Sequence, residues 1–167
     1  MKLKDHFIPD HYFPSVLRIK PDFFAENNIK CLICDIDNTL AAYEEEVPIK
    51  KVKDWLDKTE ASGVRIALIS NNSEKRVYMF NSVLGYLYVS RAGKPFTRGL
   101  KKLLKQTGVK KEETAVLGDQ IFTDVLCAKK AGVRAILVNS IDTSKRPFLK
   151  FKKRIERHIL KSENFVK

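Results

Sequence analysis

A short apolar run, residues 31–34, ends directly in two aspartates one residue apart, Asp35 and Asp37. A few apolar residues bounded by polar ones are typical of a strand that is buried on both faces. Side chains alternate between the faces of a strand, but a chain that leaves the sheet after Asp35 can turn and direct both carboxylates to one pocket. The run therefore predicts a strand over residues 31–35 that delivers paired carboxylates to its open end. Such a pair suits a nucleophile beside an acid/base, with a metal between them.

Three further segments add polar side chains in a fixed order along the chain. They are Ser70-Asn71-Asn72 after the mainly apolar run 64–69, Gly93-Lys94-Pro95, and Asp119 with Asp124 after residues 114–117. Each segment alone has an ordinary structural interpretation: a serine or asparagine that caps a helix, a solvated loop lysine, and a glycine-aspartate turn. Only the ordered combination of acid pair, hydroxyl, lysine and second acid pair is specific.

The pattern of apolar residues predicts an α/β fold. Strands are expected near residues 31–35, 64–69, 86–90, 114–118 and 133–138, and helical spacing fills the gaps between them. One expected helix carries the apolar stripe Phe96, Leu100, Leu103 and Leu104 and is closed by Gly108. Strictly alternating strands and helices predict a three-layer domain with a central parallel sheet of about five strands. In such sheets ligands bind beyond the carboxyl ends of the strands, where every polar segment above is located.

The four segments together resemble the motifs of the haloacid dehalogenase (HAD) superfamily of phosphotransferases, in order and in strand context. The resemblance covers residues 31–139. The Asp-Ile-Asp-Asn-Thr-Leu form of the first motif and the Pro-Asp-His-Tyr-Phe-Pro opening are similar to the YqeG-like subfamily of capless, type IIIA phosphatases, which is related to the phosphatidylglycerophosphate phosphatases. The resemblance implies a Rossmann-like HAD domain in which the strands at 64–69 and 114–118 flank the strand at 31–35.

The same resemblance implies a role for each motif residue. Asp35 is expected to be the nucleophile that forms an aspartyl-phosphate, and Asp37 the acid/base that protonates the leaving alkoxide and then activates water. Because ion pumps of the superfamily carry threonine at the second position and the dehalogenases lack the acid, Asp37 favours hydrolysis. The substrate-binding residues are expected to be Ser70, through its hydroxyl, Lys94, through its ammonium, and Asn71, through its backbone amide.

A carboxylate that attacks a phosphate monoester is an anion approaching a dianion. At an effective dielectric constant near 20, each pair of unit charges about 4 Å apart costs roughly 4 kcal/mol, so a cation is needed. Mg²⁺ prefers hard oxygen ligands and bridges carboxylates to phosphate. Asp35 and Asp119 are expected to bind it directly, with the backbone carbonyl of Asp37 as the family's third ligand and Asp124 in a supporting position.

Composition excludes several classes of protein. The 167 residues suffice for one domain, and no apolar run approaches the roughly 18 residues of a membrane-spanning helix. The first residues lack the apolar segment of a secretory signal, so we expect a cytoplasmic protein. The three cysteines do not form a disulfide framework, and the cysteines and histidines show no zinc-ligand spacing.

Charge is concentrated at the end of the chain. Residues 145–161 hold eight lysines and arginines against one acid, and Phe148, Phe151, Ile155 and Ile159 share one helical stripe. A basic amphipathic helix is typical of membrane-surface binding, although such a stripe equally often packs on its own domain. We expect an aromatic strap over residues 1–30, a phosphatase core over 31–140 and a basic amphipathic helix over 141–167.

The spacing of the motifs leaves no room for a cap domain. About thirty residues separate Asp37 from Ser70 and about two dozen separate Ser70 from Lys94. An uncapped site suits a bulky or surface-held substrate, or a site completed by another subunit. With a formal net charge of +12, the first hypothesis is phosphatidylglycerophosphate hydrolysis at the inner membrane leaflet, where the protein is peripheral. The alternatives are a soluble or nucleic-acid-directed phosphomonoesterase and, less favoured, a non-catalytic anion-binding module.

Overall fold

A single parallel sheet organises the computed structural model, which describes residues 3–141, 159–161 and 165. Its six strands are β1 His11–Phe13, β2 Cys31–Cys34, β3 Arg65–Ile69, β4 Leu87–Val89, β5 Thr114–Gly118 and β6 Arg134–Val138. Their order across the sheet is β1-β6-β5-β2-β3-β4, and every neighbouring pair is parallel. The implied arrangement is confirmed, because β3 and β5 flank β2.

Helices cover both faces of the sheet. They are α1 Pro21–Glu26, α2 Lys50–Ala61, α3 Glu74–Asn81, α4 Arg98–Thr107 and α5 Leu126–Ala131. Side chains of α1, α2 and α3 pack in one apolar cluster, whereas those of α4 and α5 pack in a second cluster on the opposite face. Alternate residues of β2 divide between the clusters, Leu32 and Cys34 in the first and Cys31 and Ile33 in the second. The three-layer α/β architecture predicted from the sequence is thus confirmed.

Residues before 31 contribute directly to the sheet and to the core. β1 pairs with β6, which raises the strand number from the expected five to six. Phe24 of α1 is completely buried, and the indole nitrogen of Trp55 donates a 2.8 Å hydrogen bond to the carbonyl of Ile19. β1 escaped sequence analysis because it has only three residues, all half-buried, and therefore lacks an apolar run.

Phe96 corrects one detail of the sequence analysis. The residue was expected on the buried stripe of the third predicted helix, but its side chain is 74% exposed and α4 begins only at Arg98. The backbone N–H of Phe96 bonds to the carbonyl of Gly93 in a turn, 2.9 Å away. The spacing from Phe96 to Leu100 imitates a helical repeat, although the chain becomes helical only after Phe96.

The expected C-terminal helix falls mainly outside the described residues, as do Phe148, Phe151 and Ile155 of its stripe. Residues 159–161 are helical, and Leu160 is buried in the cluster formed by α4 and α5. Ile159 and Phe165 pack against the same cluster. Within the described part of the chain, no helix combines the length and the apolar character needed to cross a membrane.

Truncation of two phenylalanines tests this packing. We expect Phe24→Ala to lower the free energy of unfolding by about 3–5 kcal/mol, since it empties a fully buried site next to the sheet. Phe96→Ala removes the same atoms from an exposed position and should change the free energy of unfolding by less than about 0.5 kcal/mol. Urea unfolding followed by circular dichroism measures both. Equal losses in the two variants would contradict the integration of residues 1–30 into the core.

Candidate active site

The candidate site lies where β2, β3 and β5 end. Asp35, Ser70 and Asp119 each follow one of these strands directly, and all three side chains are buried. The register pairs Cys34 with both Leu68 and Leu117, so the three strands end at the same edge of the sheet. The topology therefore brings together residues that are far apart in the chain, as the sequence analysis expected.

Three buried carboxylates form the centre of the site. Oxygens of Asp35, Asp119 and Asp124 all lie within 4.8 Å of one another. The Thr39 hydroxyl lies 3.0 Å from Asp35 Oδ2 and 3.3 Å from Asp119 Oδ1, so its one proton can serve either carboxylate. The Ser140 hydroxyl donates a hydrogen bond to Asp119. The cluster therefore brings three carboxylates together where little of their surface is exposed to solvent.

Lys94 is the buried cation that partly balances this charge. Its ammonium lies 2.5 Å from Asp35 Oδ1 and 2.6 Å from Asp124 Oδ1, and 3% of its side chain is exposed. Burial alone would lower the pKa of Lys94, but the neighbouring carboxylates of Asp124 and Asp35 outweigh it and the pKa is raised. Lys94 is therefore positively charged in the site.

The pKa of Asp35 depends on its burial and on the charges of its neighbours. Burial raises the pKa of its carboxyl to about 8; the charges of Asp124 and Asp119 act in the same direction, and Lys94 opposes them. One ammonium does not compensate three clustered carboxylates. An additional positive charge in the cluster would therefore favour the ionised form of Asp35.

The Asn71 side chain fixes the loop that carries Lys94. Its amide nitrogen donates to the Lys94 carbonyl at 3.0 Å, and its amide oxygen accepts from the Lys94 backbone N–H at 2.7 Å. This reciprocal pair holds the loop after β4 against the loop after β3. The side chain of Asn71 is thus engaged with the backbone, while its expected contact with phosphate through its own backbone amide stays a prediction.

Asp37 lies beside the carboxylate cluster rather than within it. Its Oδ1 accepts from Arg76 Nε at 3.0 Å, and its Oδ2 accepts from Asn72 Nδ2 at 3.2 Å and from the Ser70 hydroxyl at 3.4 Å. The third carboxylate of the cluster is Asp124, which the sequence analysis placed in a supporting position. The expected contribution of Asp37 to a metal site concerned its backbone carbonyl, and that expectation stays a prediction.

A wide helical turn, Ile121–Val125, presents Asp124 to the cluster before α5 begins. The Gln120 N–H donates to Asp124 Oδ2 at 3.1 Å and fixes the carboxylate. Gly118 makes the approach possible, because a Cβ at that position would lie 2.3 Å from the Cβ of Asp124. Insertions of this kind into a helix recur at functional sites, since they redirect a side chain without ending the helix.

The carboxylate cluster has the donor chemistry of a site for a hard divalent cation. Asp35, Asp119 and Asp124 offer only oxygen ligands, which Mg²⁺ prefers. Their combined charge exceeds that of Lys94, so a cation with two charges complements the cluster. The site therefore combines three clustered buried carboxylates that could hold a metal ion, a buried lysine paired with two of them, and a further carboxylate at its margin.

Four residues around the site escaped the sequence analysis as site residues. They are Thr39, Asn72, Arg76 and Ser140. Thr39 and Asn72 had a signal in the sequence, since they stand two residues after Asp37 and Ser70, within the polar segments described above. Arg76 belongs to α3 and Ser140 follows β6, so only the three-dimensional arrangement reveals their contacts with Asp37 and Asp119.

Comparisons with known proteins agree with this architecture. The chain is 32% identical over 158 residues to "Probable phosphatase YqeG" of Bacillus subtilis (strain 168), which covers 95% of this chain and 92% of that protein. The fold resembles the cobalt-bound deoxy-D-mannose-octulosonate 8-phosphate phosphatase from Haemophilus influenzae, with a TM-score of 0.55 and 17% identity over 83% of this chain and 91% of that one.

A second solved structure with this fold is 3-deoxy-D-manno-octulosonate 8-phosphate phosphatase from Moraxella catarrhalis, in complex with a magnesium ion, a phosphate ion and a KDO molecule. The TM-score is 0.50, with 21% identity over 87% of this chain and 94% of that one. Residues 14–138 match the family described as haloacid dehalogenase-like hydrolase. The chain, as its motifs predicted, belongs to the haloacid dehalogenase-like hydrolases.

Proposed function

We propose that this HAD-family phosphatase hydrolyses phosphate monoesters through a covalent phosphoryl intermediate on Asp35. The observation that carries the proposal is the convergence of Asp35, Asp119 and Asp124 at one buried edge of the sheet, where Lys94 pairs with the first and the last of them. An ammonium beside the carboxylate offsets part of its charge and therefore reduces its repulsion from a phosphate dianion. Family membership and the relative described as a phosphatase support the same chemistry.

In the first step, a carboxylate oxygen of Asp35 attacks phosphorus, and the bond from phosphorus to the ester oxygen breaks. Asp37 donates a proton to the departing alkoxide, which leaves as an alcohol. Asp37 is suited to this role because Ser70, Asn72 and Arg76 hold its carboxylate at the margin of the site. The product of this step is an aspartyl-phosphate, an acyl phosphate that water can hydrolyse.

In the second step, Asp37 removes a proton from a water molecule that attacks phosphorus. The bond between phosphorus and Asp35 breaks, which releases inorganic phosphate and restores the carboxylate. The hydroxyl of Ser70, the ammonium of Lys94 and the backbone amide of Asn71 bind the equatorial phosphoryl oxygens in both steps. These oxygens carry the charge that spreads over the phosphoryl group in the transition state.

Mg²⁺ is the cofactor that this donor set favours. Asp35, Asp119 and Asp124 would hold it with their carboxylates, and Asp37 with its backbone carbonyl. When bound, the ion neutralises charge on the carboxylates and the phosphate, so that the two anions can meet. The Moraxella catarrhalis phosphatase, whose fold is similar, was crystallised with magnesium and phosphate, which supports this assignment.

Phosphatidylglycerophosphate at the inner membrane leaflet is the substrate that we propose. One helix, α2, lies between β2 and β3, and one helix, α3, lies between β3 and β4; neither fully described segment contains an added domain. A site without a cap leaves room for a monoester that stays attached to a bilayer. The formal net charge of +12 favours anionic surroundings of this kind.

Replacement of the nucleophile tests the reaction. We expect Asp35→Asn to reduce phosphate release by roughly a thousandfold or more, because an amide oxygen cannot form the intermediate. Release is measured with Mg²⁺ from phosphatidylglycerophosphate in mixed micelles and from soluble monoesters. Asp54→Asn, the same change on an exposed part of α2, should keep full activity. Activity on soluble monoesters alone would overturn the lipid substrate, and activity of Asp35→Asn would overturn the mechanism.

Asp37→Asn separates the two steps. With p-nitrophenyl phosphate, whose leaving group needs little protonation, we expect a burst of about one nitrophenol per protein followed by a stall, since no base activates water. Intact-protein mass spectrometry should then detect one added phosphoryl group. A steady rate equal to that of the native protein, without a burst, would contradict the role of Asp37.

Thermal unfolding tests the cation site without reference to activity. Saturating Mg²⁺ should raise the melting temperature of the native protein by about 5 °C or more, because the folded state alone assembles the carboxylates. Asp119→Asn should lose most of this shift. In chelator it should be at least as stable as the native protein, because one of three clustered charges is removed. Asp54→Asn should respond to Mg²⁺ like the native protein; an unchanged shift in Asp119→Asn would contradict the site.

A further inference from the structure

Helix α4 exposes a face that consists entirely of cations. Arg98, Lys101, Lys102 and Lys105 are all exposed, and the helix contains no acidic residue. At 3.6 residues per turn, their side chains fall within an arc of roughly 100°. Leu100 and Leu103, which are completely buried, lie on the opposite side of the helix and attach it to the sheet. We call Arg98, Lys101, Lys102 and Lys105 together the α4 basic face.

Helix α2 shows how the same chain arranges lysines on an ordinary solvated helix. Lys50 pairs with Asp54 at 2.7 Å and Lys53 pairs with Asp57 at 2.8 Å, each one turn further along. Within residues 3–141, 159–161 and 165, no carboxylate lies within ion-pair distance of any residue of the α4 basic face. Like charges at this spacing repel one another and disfavour the helix. A partner that supplies negative charge would remove this repulsion.

The surroundings of the α4 basic face extend it toward the active site. The exposed Arg91 adds a cation in the loop between β4 and α4, three residues before Lys94. Phe96 lies two residues before Arg98 and two residues after the active-site Lys94, and its ring is 74% exposed. An exposed aromatic ring therefore separates the catalytic lysine from the first cation of the helix.

We propose that the α4 basic face and Phe96 form a docking surface for an anionic membrane. Cations next to a negatively charged leaflet gain electrostatic attraction, and an aromatic side chain enters the boundary between head groups and acyl chains. Phe96 stands two residues before the first of these cations, so both contributions can act at one surface. Because α4 begins four residues after Lys94, docking through its first turn would bring the loop that carries Lys94 close to the head groups. The proposal rests on the membrane-surface substrate argued above.

The chemistry of the face favours a membrane over a nucleic acid. Three of its four cations are lysines, whose compact charges suit a diffuse anionic surface better than the bidentate phosphate recognition typical of arginine. The cations project from one convex helix and are accompanied by a single apolar ring. Nucleic acid binding to the same face is an outcome that the experiment distinguishes.

The experiment uses the full chain and lipid vesicles that contain no phosphate monoester, so that binding does not depend on catalysis. We expect the native protein to sediment with phosphatidylglycerol vesicles and not with phosphatidylcholine vesicles. Lys101→Gln combined with Lys105→Gln should weaken the partition coefficient by about tenfold or more. Lys51→Gln combined with Lys58→Gln changes the net charge equally on α2, at the opposite face of the sheet, and should change binding less than about twofold.

Phe96→Ala isolates the apolar signal. We expect it to weaken binding to phosphatidylglycerol vesicles several-fold, and the loss should persist at high salt because it does not involve charge. The weakening caused by the double change in α4, in contrast, should diminish as salt screens the charges. A Phe96→Ala variant that binds vesicles like the native protein would remove the ring from the docking surface and overturn the proposal as stated.

Two parallel measurements separate this proposal from the proposed function. All variants should hydrolyse p-nitrophenyl phosphate at the native rate, so a loss of vesicle binding reports docking alone. Equal weakening by the α2 and α4 double changes would overturn the proposal, since net charge alone would then explain binding. Failure to bind phosphatidylglycerol vesicles, with α4-dependent binding to a single-stranded oligonucleotide instead, would overturn it in favour of nucleic acid. Hydrolysis of phosphatidylglycerophosphate without binding to vesicles would leave the proposed function intact and overturn the proposed docking surface.

Discussion

The contact of Lys94 with Asp35 and Asp124 is the interaction on which the site depends. Three ionised carboxylates buried together without a cation would be strongly disfavoured, because each loses its hydration and repels the others. The ammonium lies between two of them at 2.5 and 2.6 Å and offsets part of their repulsion. The Asn71 side chain, the loop after β4 and the turn before α5 all serve to place these atoms. The geometry of the site follows from this electrostatic requirement.

Much of this arrangement could be predicted from the sequence, because it follows from periodicity and from parallel topology. Five strands appear in the sequence as mainly apolar runs, and Asp35, Ser70 and Asp119 each follow such a run where the chain leaves the sheet. Asp35, Ser70 and Asp119 therefore had to meet once β3 and β5 flank β2. That order came from family resemblance, since no local pattern specifies which strands are neighbours.

The features that escaped prediction depend on contacts between distant parts of the chain. Arg76 reaches Asp37 from α3, and Ser140 reaches Asp119 from the end of β6. A solvated helix arginine and a loop serine have the same sequence signature whether or not they contact a site. The prediction for Phe96 was wrong because of a misleading local pattern: its spacing matched that of a helix, but the helix begins only two residues later. Local pattern thus identified the strands and the motif carboxylates, whereas the partners of those carboxylates required the fold.

The pairing of β1 with β6 limits the order in which contacts can form while the chain is synthesised. His11 aligns with Ile136, so these partners are 125 positions apart in the chain. On the ribosome, the edge of the sheet next to β6 stays incomplete until residues 134–138 have emerged. The segment that holds Phe24 and Ile19 can contact α2 much earlier, as the bond from Trp55 to Ile19 requires only residues up to 55. The N-terminal residues can therefore contact α2 at an early stage of translation, but can pair with β6 only about eighty residues later.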